Sequence, residues 1–239
     1  METHARVSGT GEEEALNANS LYTGERGAEY YAQRRKLRSS VTQQERAAFF
    51  LDIADEEAIT LDFGCGNGAL LANLRAAHRI GVEISPYAAR DAERHLDHVV
   101  SDIAAVGTES VDRIISFHAL EHVEEPSQVI RGMWRVLKPD GRLKLVVPCN
   151  MPLHTAQRFW RPDDVTMHLY TWSPLTLGNL MTVCGFVIES ASLAPASAGG
   201  RLGRMLPPMS QLRQSLAWLK ALRSGRFHAM VTARKPAGS

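Results

Sequence analysis

The sequence predicts an α/β fold with a doubly wound, mostly parallel sheet of seven strands, in which the last strand runs antiparallel. Two patterns indicate this fold. Between residues 58 and 148, short apolar segments alternate with segments of helical composition, which is typical of β–α units joined by right-handed crossovers. Residues 227–234 then alternate between apolar and polar side chains, as a half-buried closing strand does. Ligands of such sheets bind at the carboxyl ends of the strands.

Each strand is predicted from a short apolar run that lies between turn signals. In chain order, the predicted strands are 58–63, 79–84, 98–102, 111–117, 142–148, 186–191 and 227–234. The KPDG sequence at 138–141 predicts a turn before the fifth strand, because proline, aspartate and glycine favour turn geometry.

Helices are predicted from spacing and from capping residues. They are expected at 69–77, 86–95, 126–137 and 173–185, with one or two more within 28–54. The best-marked helix has Ser173 as its N-cap, Pro174 at its first position and Gly185 as its stop. Within residues 207–224, four leucines fall on one face of an amphipathic helix, which predicts packing against the body; a membrane-lying helix and a substrate lid are the alternatives.

The domain organisation follows from composition. Residues 1–20 are polar and glycine-rich, which predicts disorder, and residues 21–239 are expected to form a single domain. Residues 28–54 would form a helical cap. The segments 149–172 and 192–226 interrupt the β–α rhythm and are expected on the substrate side, since long loops at this edge often bind ligands.

The bulk composition is that of an ordinary soluble protein and excludes several classes. The chain has 239 residues, of which 44% are hydrophobic, and its net charge of +1 gives no reason to expect a nucleic-acid partner. The N-terminus resembles no signal peptide, and no apolar run approaches the roughly 18 residues of a membrane span. Three widely spaced cysteines argue against a disulfide framework or a metal centre, so a cytoplasmic location is expected.

The C-terminal region is strongly basic. Residues 190–239 contain no aspartate or glutamate, and they contain eight basic residues: Arg201, Arg204, Arg213, Lys220, Arg223, Arg226, Arg234 and Lys235. One interpretation is a solvated face that offsets the acidic N-terminal half. The other is a platform for an anion, either a phosphorylated or nucleotide-linked substrate or a membrane surface.

The turn in LDFGCGNGA, residues 61–69, predicts a nucleotide-like ligand. Gly64, Gly66 and Gly68 lie between a strand and a helix start, where free backbone N–H groups and the helix dipole favour an anion. The pattern is ambiguous, because Gly64, Gly66 and Ala69 also satisfy the G-x-G-x-x-[GA] dinucleotide fingerprint, with Glu83 about twenty residues further on.

Asp62 favours one of the two ligands. It lies two residues before Gly64, where its carboxylate would repel a pyrophosphate. A ligand that carries both an ammonium and a carboxylate suits the site better, since the ammonium would face Asp62 and the carboxylate the N–H groups of the turn. The methionyl end of S-adenosylmethionine has both groups.

Five ordered motifs resemble those of the class I S-adenosylmethionine-dependent methyltransferases, of the methyltransferase type 11-like kind. They are DFGCGNG, IGVEIS, SDI, DRIISFHALEHV and LKPDGRL, and they span about residues 58–148. SFHALEHV, VVPCN and HLYTWSPLTLGNL extend the resemblance, over most of 28–190, to a bacterial subgroup associated with glycan assembly. The resemblance implies a Rossmann-like domain.

The resemblance also implies a cofactor site for S-adenosyl-L-methionine. Its residues would be Asp62, Gly64, Cys65, Gly66, Gly68, Glu83, Ile84, Asp102, Ile103, Phe117 and His118. The glycines would let the backbone approach the methionyl group, and Cys65 would contribute its backbone. Glu83 would accept hydrogen bonds from both ribose hydroxyls, and Asp102 from the adenine amino group. Surface carboxylates are the alternative for Glu83 and Asp102, whereas Asp112 is expected to be structural.

Two histidines are the candidate catalytic residues. His118, Glu121 and His122 have i, i+3, i+4 spacing, so a helical turn after the fourth strand would place them on one face beside the methyl group. Histidine is a natural base near neutral pH, which suits His118 or His122 to deprotonating an alcohol. Glu121 is expected instead to hold the loop by hydrogen bonds.

Candidate substrate residues lie in the loop after the fifth strand, and they are His154, Arg158, His168, Tyr170 and Trp172. Aromatic rings and arginines suit a phosphorylated sugar, by stacking and bidentate contacts. Alternatively, Tyr170 and Trp172 are core residues that anchor the loop. Tyr30, Tyr31, Arg34 and Arg35 are candidates for a lid over the cofactor or for simple packing on the body.

The sequence therefore predicts a methyltransferase that acts on an oxygen of a sugar, glycan or other polar small molecule. Two alternatives stay open. One is a nicotinamide-dependent oxidoreductase, and the other is a non-catalytic scaffold with a methyltransferase-like fold. RNA methylation is less favoured, because no basic-aromatic nucleic-acid module is visible.

Overall fold

The computed structural model describes residues 22–36, 40–150, 168–196, 205–206 and 210–238. These residues form a seven-stranded sheet in the order β3-β2-β1-β4-β5-β7-β6, and within it β7 alone is antiparallel to the rest. The strands are β1 Ile59–Phe63, β2 His78–Val82, β3 His98–Val100, β4 Val111–Phe117, β5 Leu137–Asn150, β6 Val187–Pro195 and β7 Arg226–Arg234. The predicted fold class is confirmed.

Seven α-helices accompany the sheet in the described part of the chain. They are α1 Gly24–Lys36, α2 Ser40–Ala47, α3 Ala69–Ala72, α4 Pro86–Ala92, α5 Pro126–Val136, α6 Pro174–Val183 and α7 Gln211–Ser224. The start predicted for α6 is confirmed, because the Ser173 and Thr176 side chains form a reciprocal capping box. None of the described helices is both long and apolar enough to cross a membrane. The disorder expected for residues 1–20 lies outside the described residues.

Two elements differ most from the sequence prediction. The helix expected at 69–77 ends at Ala72, because the Asn73 N–H donates to the Leu70 carbonyl and the Leu74 N–H to the Leu71 carbonyl, and such i→i−3 bonds tighten and end a helix. The turn expected at 138–141 lies inside β5. There Asp140 has a φ of 59°, and its N–H donates to the Lys235 carbonyl, so the segment is an irregularity within a strand.

Two apolar clusters cover the two faces of the sheet. Ile114 belongs to the larger cluster, which includes residues of α5 and α6, whereas the next residue, Ile115, belongs to the cluster that includes Phe50 and Leu71. Successive side chains of a strand point to opposite faces, so β4 is buried on both sides. The ends of the central strands are consequently fixed, and the loops that follow them start from defined positions.

Asp112 has the structural role expected of it. One carboxylate oxygen accepts a hydrogen bond from the Ile59 N–H at 2.9 Å, and the other accepts one from Lys138 Nζ at 2.9 Å. Partial burial alone would raise the pKa of Asp112, but the bonds from Lys138 and Ile59 outweigh it and lower that pKa. Asp112 therefore joins the start of β4 to β1 and β5.

Candidate active site

A cleft of about 790 Å³ lies at the carboxyl ends of β1, β2 and β4, where the topology predicts a ligand. Twelve of the predicted site residues line it: Asp62, Gly64, Cys65, Gly66, Glu83, Ile84, Asp102, Ile103, Phe117, His118, His122 and His168. Gly68, Tyr170 and Trp172 are not among its lining residues. His154 and Arg158 lie outside the described residues.

The glycines between β1 and α3 are required by the backbone. Gly64, Gly66 and Gly68 have φ values of 73°, 58° and 76°, which side chains rarely tolerate. A Cβ on Gly64 would also lie 2.4 Å from Ala119 Cβ, so Gly64 lets this turn pack against the loop after β4. Gly68 does not line the cleft; a Cβ there would lie 3.0 Å from Leu96 Cγ.

We expect Gly64→Ala to lower both stability and cofactor affinity. A left-handed alanine costs about 1–2 kcal/mol, and the clash with Ala119 adds to that cost and displaces the turn. Urea unfolding and titration with S-adenosylhomocysteine measure the two effects. Gly178→Ala is the matched control, because an added Cβ in α6 meets no atom within 4 Å; a Gly64→Ala protein as stable as that control would contradict the expectation.

The amides of this turn bond within the protein, contrary to the sequence expectation. The Gly64 and Cys65 N–H groups donate to the Val82 carbonyl at 2.8 and 3.1 Å, and the Gly68 N–H donates to the Cys65 carbonyl at 3.0 Å. The Gly66 N–H donates to Glu83 Oε2 at 2.8 Å. These four amides are therefore not the free donors that the sequence pattern suggested, and the four-residue α3 adds little dipole. Their role is to fasten the turn to β2.

Asp62 presents a buried carboxylate to the cleft. The residue is 1% exposed, and neither carboxylate oxygen has a hydrogen-bond partner among the described residues. Burial and then the nearby charge of Glu83 raise its pKa well above the ordinary value. A buried carboxylate without a partner is costly, so this site favours a ligand that brings a cationic hydrogen-bond donor. The ammonium of S-adenosylmethionine fits this requirement.

Glu83 and Asp102 line the cleft beyond the ends of β2 and β3. Glu83 accepts from the Gly66 N–H at 2.8 Å through one oxygen and from the Ser85 N–H at 2.9 Å through the other. Each carboxylate oxygen carries two lone pairs and can accept more than one hydrogen bond. Asp102 caps the short turn Ile103–Ala105 by accepting from the Ala104 N–H at 2.8 Å. Both carboxylates are therefore held in place before any ligand binds.

His118 forms a pair with His228 of β7, a residue that the sequence analysis did not identify. His118 Nε2 lies 3.0 Å from His228 Nδ1, so one ring N–H donates to the other ring. The His118 ring stacks on Phe117, with ring centroids 4.3 Å apart. Burial, and then the charge of His228, lower the pKa of His118 well below its ordinary value. Burial, and then Arg46, lower the pKa of His228 to about 4. Both rings are neutral at neutral pH.

Glu121, His122 and His168 form a second cluster beside the pair. The predicted helical turn is a short 3-10 turn, Leu120–His122, which begins after His118; both His118 and His122 line the cleft. Glu121 is fully buried, and its Oε1 lies 3.8 Å from His122 Nε2 and 4.0 Å from His118 Nδ1. One ligand atom from each of Glu121, His122 and His168 lies within 4.8 Å of the others, so this cluster offers ligands to a metal ion, which the sequence analysis did not expect.

Tyr170 and Trp172 anchor the chain where it leaves the long loop. The Tyr170 hydroxyl donates to the Glu124 carbonyl at 2.7 Å, and its ring stacks on Trp172 at 5.5 Å. Trp172 is buried in the larger apolar cluster. The structure therefore agrees with the anchoring interpretation of these two residues.

Residues of the N-terminal segment also contribute to the cleft. Tyr30 and Tyr31 line the cleft, and the Tyr31 hydroxyl donates to Asp91 Oδ2 at 2.7 Å. Tyr22 and Arg46 also line it, and the guanidinium of Arg46 lies 5.2 Å from the centroid of the Phe117 ring. The side chains of Arg34 and Arg35 lie outside the described part of the structure.

Comparisons with known proteins agree with this geometry. A family model described as a methyltransferase domain matches residues 31–191. The ubiquinone biosynthesis O-methyltransferase of Xanthomonas oryzae pv. oryzae is 35% identical over 107 residues, which cover 40% of this chain and 44% of that protein. The chain therefore spans less than half the length of the curated relatives of this name that it matches.

Solved structures share the fold. A SAM-dependent methyltransferase from Archaeoglobus fulgidus aligns with a TM-score of 0.63 at 18% identity, over 86% of this chain and 99% of that chain. A chain from the complex of the Haloferax volcanii Trm112 methyltransferase activator with a putative methyltransferase aligns with a TM-score of 0.65 at 18% identity, over 90% and 99%. At these identities the alignments show a common fold.

Proposed function

The chain belongs to the methyltransferase domain family, and we propose that it transfers a methyl group from S-adenosylmethionine to a hydroxyl oxygen of a polar small molecule, with a sugar or glycan as the first class to test. The observation that carries this proposal is the buried carboxylate of Asp62, which faces the cleft without a hydrogen-bond partner among the described residues. A cationic ligand group supplies the missing partner.

The residues around the cleft fit this cofactor at three points. Asp62 would accept from its ammonium, Glu83 from its ribose hydroxyls, and Asp102 from its adenine amino group, with Ile103 beside the ring. When bound, S-adenosylmethionine supplies an activated methyl group on a sulfonium, so the protein needs mainly to align the acceptor and remove its proton.

His118 is the proposed general base. It is neutral at neutral pH, so it has a ring lone pair available for a hydroxyl proton. When His118 Nε2–H donates to His228 Nδ1, that lone pair is on His118 Nδ1, and His228 fixes this tautomer. His228 is therefore a positioning residue. His122 is the alternative base, since it lines the same cleft beside Glu121.

The choice of an oxygen acceptor is supported by the base in the cleft and by the curated relatives, whose names specify O-methyltransfer. The sugar or glycan class rests on the sequence resemblance alone. A nicotinamide-dependent oxidoreductase is less compatible, because a pyrophosphate would meet the Asp62 carboxylate and the amides of the glycine turn already donate within the protein.

The test uses the purified chain and S-adenosylmethionine with an isotopically labelled methyl group. We expect mass spectrometry of a bacterial glycan extract and of a small-molecule extract to show label on oxygen in one of them. Thermal unfolding should show stabilisation by S-adenosylhomocysteine and none by NAD. Label in nucleic acid alone, or stabilisation by NAD alone, would refute the proposal, and His118→Asn is the matched enzyme control for background transfer.

A further inference from the structure

Helix α7 exposes an apolar face on the surface of the protein. Ala217 and Ala221 are buried against the body, whereas Leu212, Leu219 and Leu222 are 59%, 56% and 58% exposed. Trp218 is 41% exposed beside them. At 100° per residue these four residues fall on one side of the helix, opposite the two alanines. Exposed Gln211 and Ser215 fall within the same arc, so the four apolar side chains share this side of the helix with two uncharged polar ones.

The charged residues of helix α7 itself are all positive. Helix α7 contains no aspartate or glutamate. Arg213 of this helix forms an ion pair with Glu45 at 3.2 Å. Further along the chain, in and just after β7, Arg234 pairs with Asp140 and Lys235 with Glu109. Lys220, Arg223 and Arg226 are exposed, and no ion pair involves them within the described residues. Three positive charges without an ion pair in the described part of the chain thus lie within α7 or just after its last residue.

We infer that this apolar face, with Lys220, Arg223 and Arg226, binds the surface of an anionic lipid bilayer. A helix with leucine and tryptophan on one side and flanking lysine and arginine inserts its apolar side between headgroups while the cations contact lipid phosphates. A symmetric contact between two copies would bring these like charges together, which disfavours it. The inference does not depend on the proposed methyl transfer.

The experiment is flotation of the full chain with lipid vesicles. We expect the protein to float with vesicles in which about a third of the lipid is phosphatidylserine, to bind phosphatidylcholine vesicles much more weakly, and to dissociate at high salt. Leu219→Glu combined with Leu222→Glu should weaken binding at least about tenfold, since two apolar contacts are lost and two negative charges are added. Binding should shift the tryptophan emission to shorter wavelength, and Trp218→Phe should remove most of that shift.

Leu175→Glu is the matched control, because Leu175 is 71% exposed on α6, outside this face. It should bind vesicles as the wild type does. Each variant should keep its S-adenosylhomocysteine-dependent stabilisation, which separates this test from that of the methyl transfer. Failure of the wild type to float with anionic vesicles would overturn the inference. So would equal binding by the double variant, or a dimer that the double variant converts to a monomer without any change in flotation.

Discussion

Asp62→Asn should make the unliganded protein more stable and the cofactor bind more weakly. The carboxylate is buried and repelled by Glu83, and its raised pKa means that folding disfavours its charge. Removing that charge should therefore stabilise the unliganded fold at neutral pH. Losing a charge-assisted hydrogen bond should cost binding about 1.5–3 kcal/mol, roughly a 10- to 150-fold loss of affinity.

The difference in stability between Asp62→Asn and the wild type should depend on pH. Because the folded pKa of Asp62 exceeds the unfolded one, its destabilising effect is absent at pH values below the ordinary aspartate pKa and develops as the pH rises through the folded pKa. The stability gap between Asp62→Asn and wild type should therefore grow from acid to neutral pH. Urea unfolding across that range measures the gap, and calorimetric titration with S-adenosylhomocysteine measures affinity.

Asp112→Asn is the matched control for Asp62→Asn. Asp112 has a lowered pKa and bonds to Lys138 and Ile59, so its neutral variant should lose stability at neutral pH and retain cofactor affinity. If Asp62→Asn behaved like Asp112→Asn, Asp62 would be a structural carboxylate and the assignment of the cleft to a cationic ligand would fail.

The sequence predicted those site residues that lie at the end of an individual strand. Asp62, Glu83 and Asp102 lie at the carboxyl ends of predicted strands, and the glycine turn follows the first of them, so their positions depend on local pattern and on parallel topology. The bonding of the turn amides was not predicted, because the Gly64, Cys65 and Gly66 N–H groups donate to the Val82 carbonyl and the Glu83 carboxylate of a different β–α unit. Local sequence does not show where such bonds go.

His228 and Arg46 were missed for a related reason. His228 lies 110 residues after His118 along the chain and meets it only because β7 inserts between β5 and β6. Arg46 comes from the N-terminal helices, before the first motif, and reaches the Phe117 ring from there. His168 likewise comes near Glu121 because the next residue, Leu169, donates its backbone N–H to the Glu121 carbonyl at 2.9 Å. Strand pairing and loop docking create these contacts.

His118→Asn should lower the rate of methyl transfer by about 10²–10⁴-fold, the usual contribution of a general base, while S-adenosylhomocysteine still binds. The pH profile of the wild type tests the role of the ring. Neutral imidazole is the active form, and the pKa of His118 lies well below 6.5, so the rate should stay level as the pH falls to 6.5 and decline only in more acidic solution. A decline centred on the ordinary histidine pKa, or full activity of His118→Asn, would remove His118 as the base.

His228→Phe should show whether His228 positions His118 or only fills space in the core. The unfolded chain binds a proton on His228 below about pH 6.5, whereas the folded protein does so only near pH 4, so wild-type stability should fall by about 3 kcal/mol between these pH values through this group. The phenylalanine fills the buried site among Phe49 and Phe117 and removes that acid sensitivity. Urea unfolding at pH 4.5 and 7.5 measures it, with His98→Phe, at an exposed position of β3, as control.

The activity of His228→Phe tests whether His228 positions the His118 ring for catalysis. Without the His228 acceptor, nothing holds His118 in the tautomer that has its lone pair on Nδ1. We therefore expect kcat to fall while KM stays close to the wild-type value. Loss of the His228 charge should also raise the pKa of His118 and move the acid decline of the rate to higher pH. A residue that only fills space would change neither kcat alone nor the position of that decline. A shifted profile in a fully folded variant would therefore identify the histidine pair as one functional unit.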